Sequence, residues 1–218
     1  MAYRATRRTE TRKAEIRARI LRQARQLIIE TGFRGLTIAA VAARSEIATG
    51  TVYRYFSNKA DLCVAVFELA TEHEIDAVVL ASQQGDSTLE QLTGSLTTFA
   101  RRALRNPTLA YALIAEPVGP ELEETRLRYR SLWADTFATL LEKGKDQRIF
   151  YSQPTYLSAA ALVGAMAETI VISSTQQINR NHPNSNHANS QRKLSQTELC
   201  NHIVNFCLRA VVKTEVLI

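Results

Sequence analysis

Apolar residues in this 218-residue chain recur at helical intervals and nowhere alternate over a strand-length run. That pattern narrows the fold to an all-α one, because a half-buried strand repeats every second residue and an amphipathic helix about every 3.6. Ile16, Ile20, Ala24 and Leu27 share one face of a predicted helix over 11–31, with Arg17, Arg19, Arg22 and Arg25 off that face. Gly32 follows as a helix-ending residue. Thr37 is placed to cap a short helix in which Ile38, Val41, Ala42 and Ser45 lie together. A turn at 46–48 separates it from a second short helix over 49–56, seated by Ala48, Val52 and Phe56. A long helix over 59–84 comes next, capped by Ser57 or Asn58, with Asp61 near its positive end.

The rest of the chain is punctuated in the same way. Ser87-Thr88-Leu89-Glu90 and Ser195-Gln196-Thr197-Glu198 are capping boxes, each opening a helix. Further helices are expected over about 88–106, from Pro107 to 115, over 121–142 with an end near Gly144, and over 154–174. Residues 116–120, Glu-Pro-Val-Gly-Pro, form a rigid break, and 175–193 is a polar Asn/Gln/Ser-rich stretch expected as a mobile loop. About nine helices result, and only 8 Gly and 5 Pro interrupt the chain. The expected division is an N-terminal unit over 1–58 and a larger helical unit over 59–218.

Charge separates the same two parts. Residues 1–62 hold 13 Lys and Arg against 5 Asp and Glu, whereas the remainder holds 14 against 16. The whole positive excess sits in the N-terminal quarter, as expected for a part that meets a polyanion; a merely soluble basic face is the plainer reading. Cys63, Cys200 and Cys207 have no CxxC spacing and read as buried thiols of a reducing cytosol. The basic N-terminus lacks the apolar core of a secretory signal, and the most apolar segment, 159–172, contains Glu168 and is shorter than a bilayer span. A cytoplasmic, nucleoid-associated protein without membrane contact is expected.

Two short helices joined by a tight turn, behind a basic helix, make a helix-turn-helix, whose second helix enters the DNA major groove. Here that helix presents Thr49, Gly50, Tyr53 and Arg54 outward. The segments Gly32-Phe33, Leu36-Thr37-Ile38, Val41-Ala42, Ile47 and above all GTVYRYFSNKADL, residues 50–62, resemble the TetR family of bacterial regulators. The resemblance is strong over about 11–62. It implies a homodimer on pseudo-palindromic double-stranded operator DNA and a small-molecule effector held among the later helices. It also implies contacts to DNA from Thr37, Arg44, Ala48, Thr49, Gly50, Thr51, Tyr53, Arg54, Tyr55 and Lys59. Two positions depart from the family pattern: Glu46 stands where Gly is common in the turn, and Thr49 where Lys is common. Arg4, Arg7 and Arg8 form either a minor-groove arm or a plain tail.

No catalytic constellation, phosphate-binding loop or metal-ligand spacing occurs after residue 63, so neither an enzymatic role nor a cofactor or metal is expected. His182 and His187 stand in the polar stretch without neighbouring carboxylates or thiolates. Phe99, Arg102, Tyr111, Tyr129, Trp133 and Phe137 are candidate ligand-binding residues, with ordinary core packing as the alternative for each aromatic; Arg105, Arg126 and Arg130 are further candidate cationic handles. Ala161, Gly164 and Ala165 in a small-residue helix, with Leu199, Ile203, Phe206 and Ala210 in the last one, are expected to form a two-fold four-helix interface. The long 59–84 helix is the expected lever between DNA and effector. The alternatives are a helical enzyme, a non-specific nucleoid-type DNA binder and a helical protein with an acidic partner; family resemblance favours a repressor.

Overall fold

The computed structural model describes residues 7–180 and 194–216. Nine α-helices follow one another among these residues. They are α1 (Arg7–Thr31), α2 (Ile38–Arg44), α3 (Thr49–Val52), α4 (Lys59–Ser82), α5 (Thr88–Arg105), α6 (Pro107–Ile114), α7 (Pro120–Asp146), α8 (Thr155–Arg180) and α9 (Gln196–Val211), with a 3-10 turn at Thr214–Val216. The described residues contain no strand; one isolated antiparallel bridge joins Phe150 to Val212.

The predicted caps form. Asn58, not Ser57, caps α4 through Asp61 N at 2.8 Å. Ser87 and Ser195 each make a complete capping box with Glu90 and Glu198. Thr37 caps α2 through Ala40 N at 3.1 Å, and the turn behind it places Ile38, Val41, Ala42 and Ser45 inside.

Several expectations need correction. The second short helix ends at Val52, and 53–55 continue as turn. Ala48 is exposed at the N-cap of α3, so of the three expected residues only Val52 and Phe56 make the seat. Gly144 does not end α7 but lies inside it, and a Cβ there would run into the Phe150 ring. The glycine thus serves close packing beneath the returning chain. Helix α8 runs past Ser174 to Arg180, where polar residues simply extend an already packed helix; the remainder of the predicted loop, with His182 and His187, lies outside the described residues. Arg4 and the side chains of Arg7 and Arg8 lie outside them as well. Within α8, Thr155–Thr175 is long and apolar enough by length and composition to cross a membrane, contrary to the shorter estimate; the interior helix of a helical protein passes the same test, and α8 packs on α6 and α7.

Two apolar cores result. One gathers α1 to α3 with the first half of α4, and reaches Leu109 and Ala112 of α6 and Leu122 and Tyr129 of α7. The other joins the far end of α4 with α5 to α9. The first half of α4 therefore belongs to the N-terminal core, beyond the expected division at 58, and α6 and α7 contribute to both cores.

Candidate functional site

The outer face of the helix pair is built on buried anchors. Val52 is fully buried and Phe56 4 % exposed, which fixes the α3 backbone and turns Thr49, Gly50, Tyr53 and Arg54 to the surface. Tyr53 is 52 % exposed. Thr51 and Tyr55 are half-buried, and Tyr55 packs on the N-terminal core. A Cβ at Gly50 would meet nothing within 4 Å, so this stretch of backbone is open to a large neighbour. Lys59, exposed, is the first residue of α4. The Asp61 carboxylate already accepts Ser57 N at 3.1 Å, so the start of α4 is partly self-capped.

Two basic residues near this face, Arg44 and Arg17, are held by partners. Arg44 grips Glu30 through two bonds of 2.9 and 2.5 Å, tying α2 to α1. These bonds, with one from Gln26, hold the Glu30 carboxyl down at about 2. Arg44 is thus a strut as well as a surface charge. Arg17 stacks over the Phe56 ring at 5.4 Å, a cation–π contact that supports the seat of α3. Glu46 in the turn has φ +53°, the left-handed region that costs a side chain about 1–2 kcal/mol. The departure from glycine is therefore accommodated by strain and not by another turn type.

In the other half a cavity of about 450 Å³ opens between α4, α5, α6, α7 and α8. Of the candidate ligand residues, Phe99, Arg102, Tyr129 and Trp133 border it. Phe137 does not: it is fully buried in the second core. Tyr111 is half-buried and is not part of the wall. Trp133 meets Phe99 edge to face at 4.8 Å, and Tyr129 meets Phe67 likewise at 5.6 Å. The Tyr129 hydroxyl donates to Glu72 at 2.7 Å; burial first, then this bond, pushes its phenol pKa up.

Sequence reasoning named Arg102, Arg126 and Arg130 as cationic handles, and all three border this cavity, but it missed the carboxylates beside it and the partners that hold Arg102 and Arg126. Arg102 holds Glu74 at 2.5 and 3.1 Å, and Arg25 of α1 stands 4.0 Å from the same carboxylate. Arg126 is buried and donates to the carbonyls of Leu113, Ala112 and Glu116, and to Glu123. Burial pushes its pKa down. Glu116, 3 % exposed, accepts Phe33 N at 2.8 Å and Arg34 N at 2.9 Å. In sequence Glu116 is one carboxylate in a Pro/Gly break, and its partners are 82 and 83 residues away. No local signal announces such a bond.

The expected interface residues divide. Ala161, Gly164, Phe206 and Ala210 are exposed, and Phe206 is 64 % so. Ala165 and Leu199 are half-buried, Leu199 against the second core. Ile203 is buried within the chain, so it offers nothing to a second copy. Gly164 also borders the cavity. All three cysteines are buried and unpaired, and burial raises each thiol, Cys207 to about 11. No group of three or more His, Cys, Asp or Glu positioned to hold a metal ion occurs among the described residues.

Comparison with known proteins adds the context for this geometry. The profile described as "Bacterial regulatory proteins, tetR family" matches residues 20–66, the segment holding α2, α3 and the start of α4. The HTH-type transcriptional repressor KstR of Rhodococcus jostii is 34 % identical over 99 residues, 45 % of this chain and 46 % of that protein. The chain thus spans about half the length of the curated relatives that it matches. Among solved structures, a TetR-family transcriptional regulator of Rhodococcus sp. superposes with a TM-score of 0.72 at 18 % identity, covering 92 % of this chain and 100 % of that one. FadR of Bacillus subtilis, crystallised with stearoyl-CoA, gives 0.70 at 18 %, covering 88 % and 98 %. Residues 20–66 match the TetR-family model, and the chain shares its all-helical fold with a regulator of that family.

Proposed function

We propose that this protein is a sequence-specific, homodimeric transcriptional repressor that leaves its operator when a small hydrophobic or amphipathic ligand enters the cavity. The observation that carries this reading is the α3 face: Thr49, Gly50, Tyr53 and Arg54 stand outward on a platform of buried Val52 and Phe56, in the basic quarter of the chain. A helix start of that kind suits a major groove, with base edges read by its first residues and phosphates by Thr37, Tyr55 and Lys59. The exposed stripe Leu157, Ala161, Gly164 and Ile172 on α8, with Phe206 and Ala210 on α9, supplies the apolar face for a second copy. Two recognition helices related by that two-fold axis meet successive major grooves about 34–36 Å apart.

The cavity supports the ligand half of the reading. At about 450 Å³ it falls within the range of small-molecule sites, and its walls are mostly apolar with a few polar groups. FadR, a neighbour in fold, was crystallised with an acyl-CoA, which favours an apolar tail as the occupant here. Helix α4 connects the two functions: Lys59 begins it at the DNA face, and Phe67, Thr71 and Glu74 border the cavity. A ligand that prefers the conformer with another spacing of recognition helices withdraws the dimer from DNA.

Selection from random duplex DNA, followed by fluorescence anisotropy at two salt concentrations, tests the reading. An enriched pseudo-palindrome that binds far more tightly than scrambled DNA, and is weakened by Tyr53→Ala, is the expected result. Equal affinity for all sequences with a steep salt slope refutes it and leaves a non-specific binder.

A further inference from the structure

The polar wall of the cavity is mainly cationic. Arg126 and Arg130 border it from successive turns of α7, and Arg102 borders it from α5. Of the two carboxylates at the wall, Glu74 is already taken up by Arg102 and Arg25, and Glu168 is exposed on α8. Arg130 has no carboxylate within ion-pair distance among the described residues. Arg126 is 4 % exposed, and its one salt-bridged carboxylate, Glu123, is itself 48 % exposed. A buried cation whose one paired carboxylate faces solvent favours a further anion beside it. Thr71 borders the same space, is 4 % exposed, and has a hydroxyl without a hydrogen-bond partner among the described residues. A ligand carrying acceptor oxygens would satisfy it.

Arg126 also reaches the DNA-binding domain. It holds the carbonyl of Glu116 at 2.9 Å, and the carboxylate of that same residue grips the amides of Phe33 and Arg34 in the turn between α1 and α2. Phe33 is 4 % exposed in the N-terminal core, so this turn carries the position of the helix pair. Two side chains, Arg126 and Glu116, therefore span the distance from cavity wall to DNA-binding domain.

We propose that the cavity takes an amphipathic acid whose anionic group is read by Arg126 and Arg130, and that Arg126 passes its arrival through Glu116 to the 33–34 turn. The proposal rests on the ligand-release reading above. The oxygens of the acid compete with the carbonyls of Ala112, Leu113 and Glu116 for the Arg126 N–H groups. Once the 112–116 segment loses that hold, Glu116 withdraws from the two amides and the α2–α3 pair is free to move. By linkage, the factor by which the acid weakens operator binding equals the factor by which operator weakens acid binding.

Trp133, the one tryptophan of the chain, borders the cavity and reports on its contents. The full chain is titrated with dodecanoate, 1-dodecanol and dodecylammonium, each below its micellar concentration, while Trp133 emission is followed. Dodecanoate is expected to bind at least about tenfold more tightly than the alcohol, the amount one charge-assisted contact of ~1.4 kcal/mol supplies. Arg130→Gln, at an exposed position, removes most of that preference. Glu116→Gln, which keeps the side-chain volume and one acceptor oxygen, still binds dodecanoate, but its release from the selected operator falls by about fivefold or more. Equal binding of acid and alcohol, or no Trp133 response to any of the three probes, overturns the acid reading. Full dodecanoate-induced release by Glu116→Gln overturns the clasp. All of these failures leave operator binding by the free protein intact, whereas a free protein with no preferred operator refutes the repressor reading, and the Trp133 titration still decides the ligand class.

Discussion

Gly32 is the position at which the contact between the two halves can be measured as a free energy. Its φ is +69°, and a Cβ built there would lie 2.6 Å from Oε2 and 3.0 Å from Oε1 of Glu116. Gly32→Ala therefore acts twice. The left-handed backbone costs a non-glycine residue about 1–2 kcal/mol. The methyl also pushes the carboxylate back from Phe33 N and Arg34 N, and losing one such bond to a charged group costs about 2 kcal/mol. The expected total is roughly 3–4 kcal/mol in the wild-type background. In a Glu116→Ala background the carboxylate is gone, and only the backbone cost of about 1–2 kcal/mol remains. A double-mutant cycle by urea unfolding, at one fixed protomer concentration, should show a coupling of about 2 kcal/mol. An equal cost of Gly32→Ala in both backgrounds, or a cost below about 1 kcal/mol in the wild type, refutes the reasoning.

Three other expectations follow from local features. Glu46→Gly relieves the left-handed strain in the turn and removes a negative charge near the DNA face, so stability rises by up to about 1 kcal/mol and non-specific DNA affinity rises with it; thermal melts and anisotropy check both, and a lower melting temperature contradicts the strain. The Cys63, Cys200 and Cys207 thiols, with Cys207 raised to about 11, should not react with a thiolate-selective disulfide reagent at pH 8 until denaturant is added; rapid reaction of one thiol in the native protein would show that burial is incomplete. The Glu30 carboxyl is held at about 2, below its ordinary value of 4.5, so its contribution to stability is full above pH 4.5 and fades as pH falls toward 2; the melting-temperature gap between wild type and Glu30→Gln should stay constant from neutral pH to 5 and then shrink.

What the sequence made legible was whatever local chemistry decides. Ile20, Ala24 and Leu27 lie inside because their spacing admits one apolar face, and Asn58, Ser87 and Ser195 cap because their oxygens reach amides three residues on. The helix pair belongs in the same class, since Val52 and Phe56 leave only one way to seat it. What stayed hidden depends on distant chain. Helix α9 has two apolar faces, and only the fold decides that Cys200, Ile203, Val204 and Cys207 turn inward while Phe206 stays out. Phe137 and Trp133, four residues apart on α7, divide between core and cavity for the same reason. Arg126 was legible as a candidate cation, but its partners and those of Glu116 were not, because both take them from backbone brought together by tertiary packing.

Gly164 lies on the exposed stripe of α8 and at the wall of the cavity, with no heavy atom within 4 Å of a Cβ built on it. The glycine backbone borders both surfaces there. Under the homodimer reading, a side chain gained at this position would stand beside both the space for a ligand and the second copy. Ligand choice and subunit pairing would then be inherited together at this residue: a lineage that changed its effector through position 164 would also have to change its own mate.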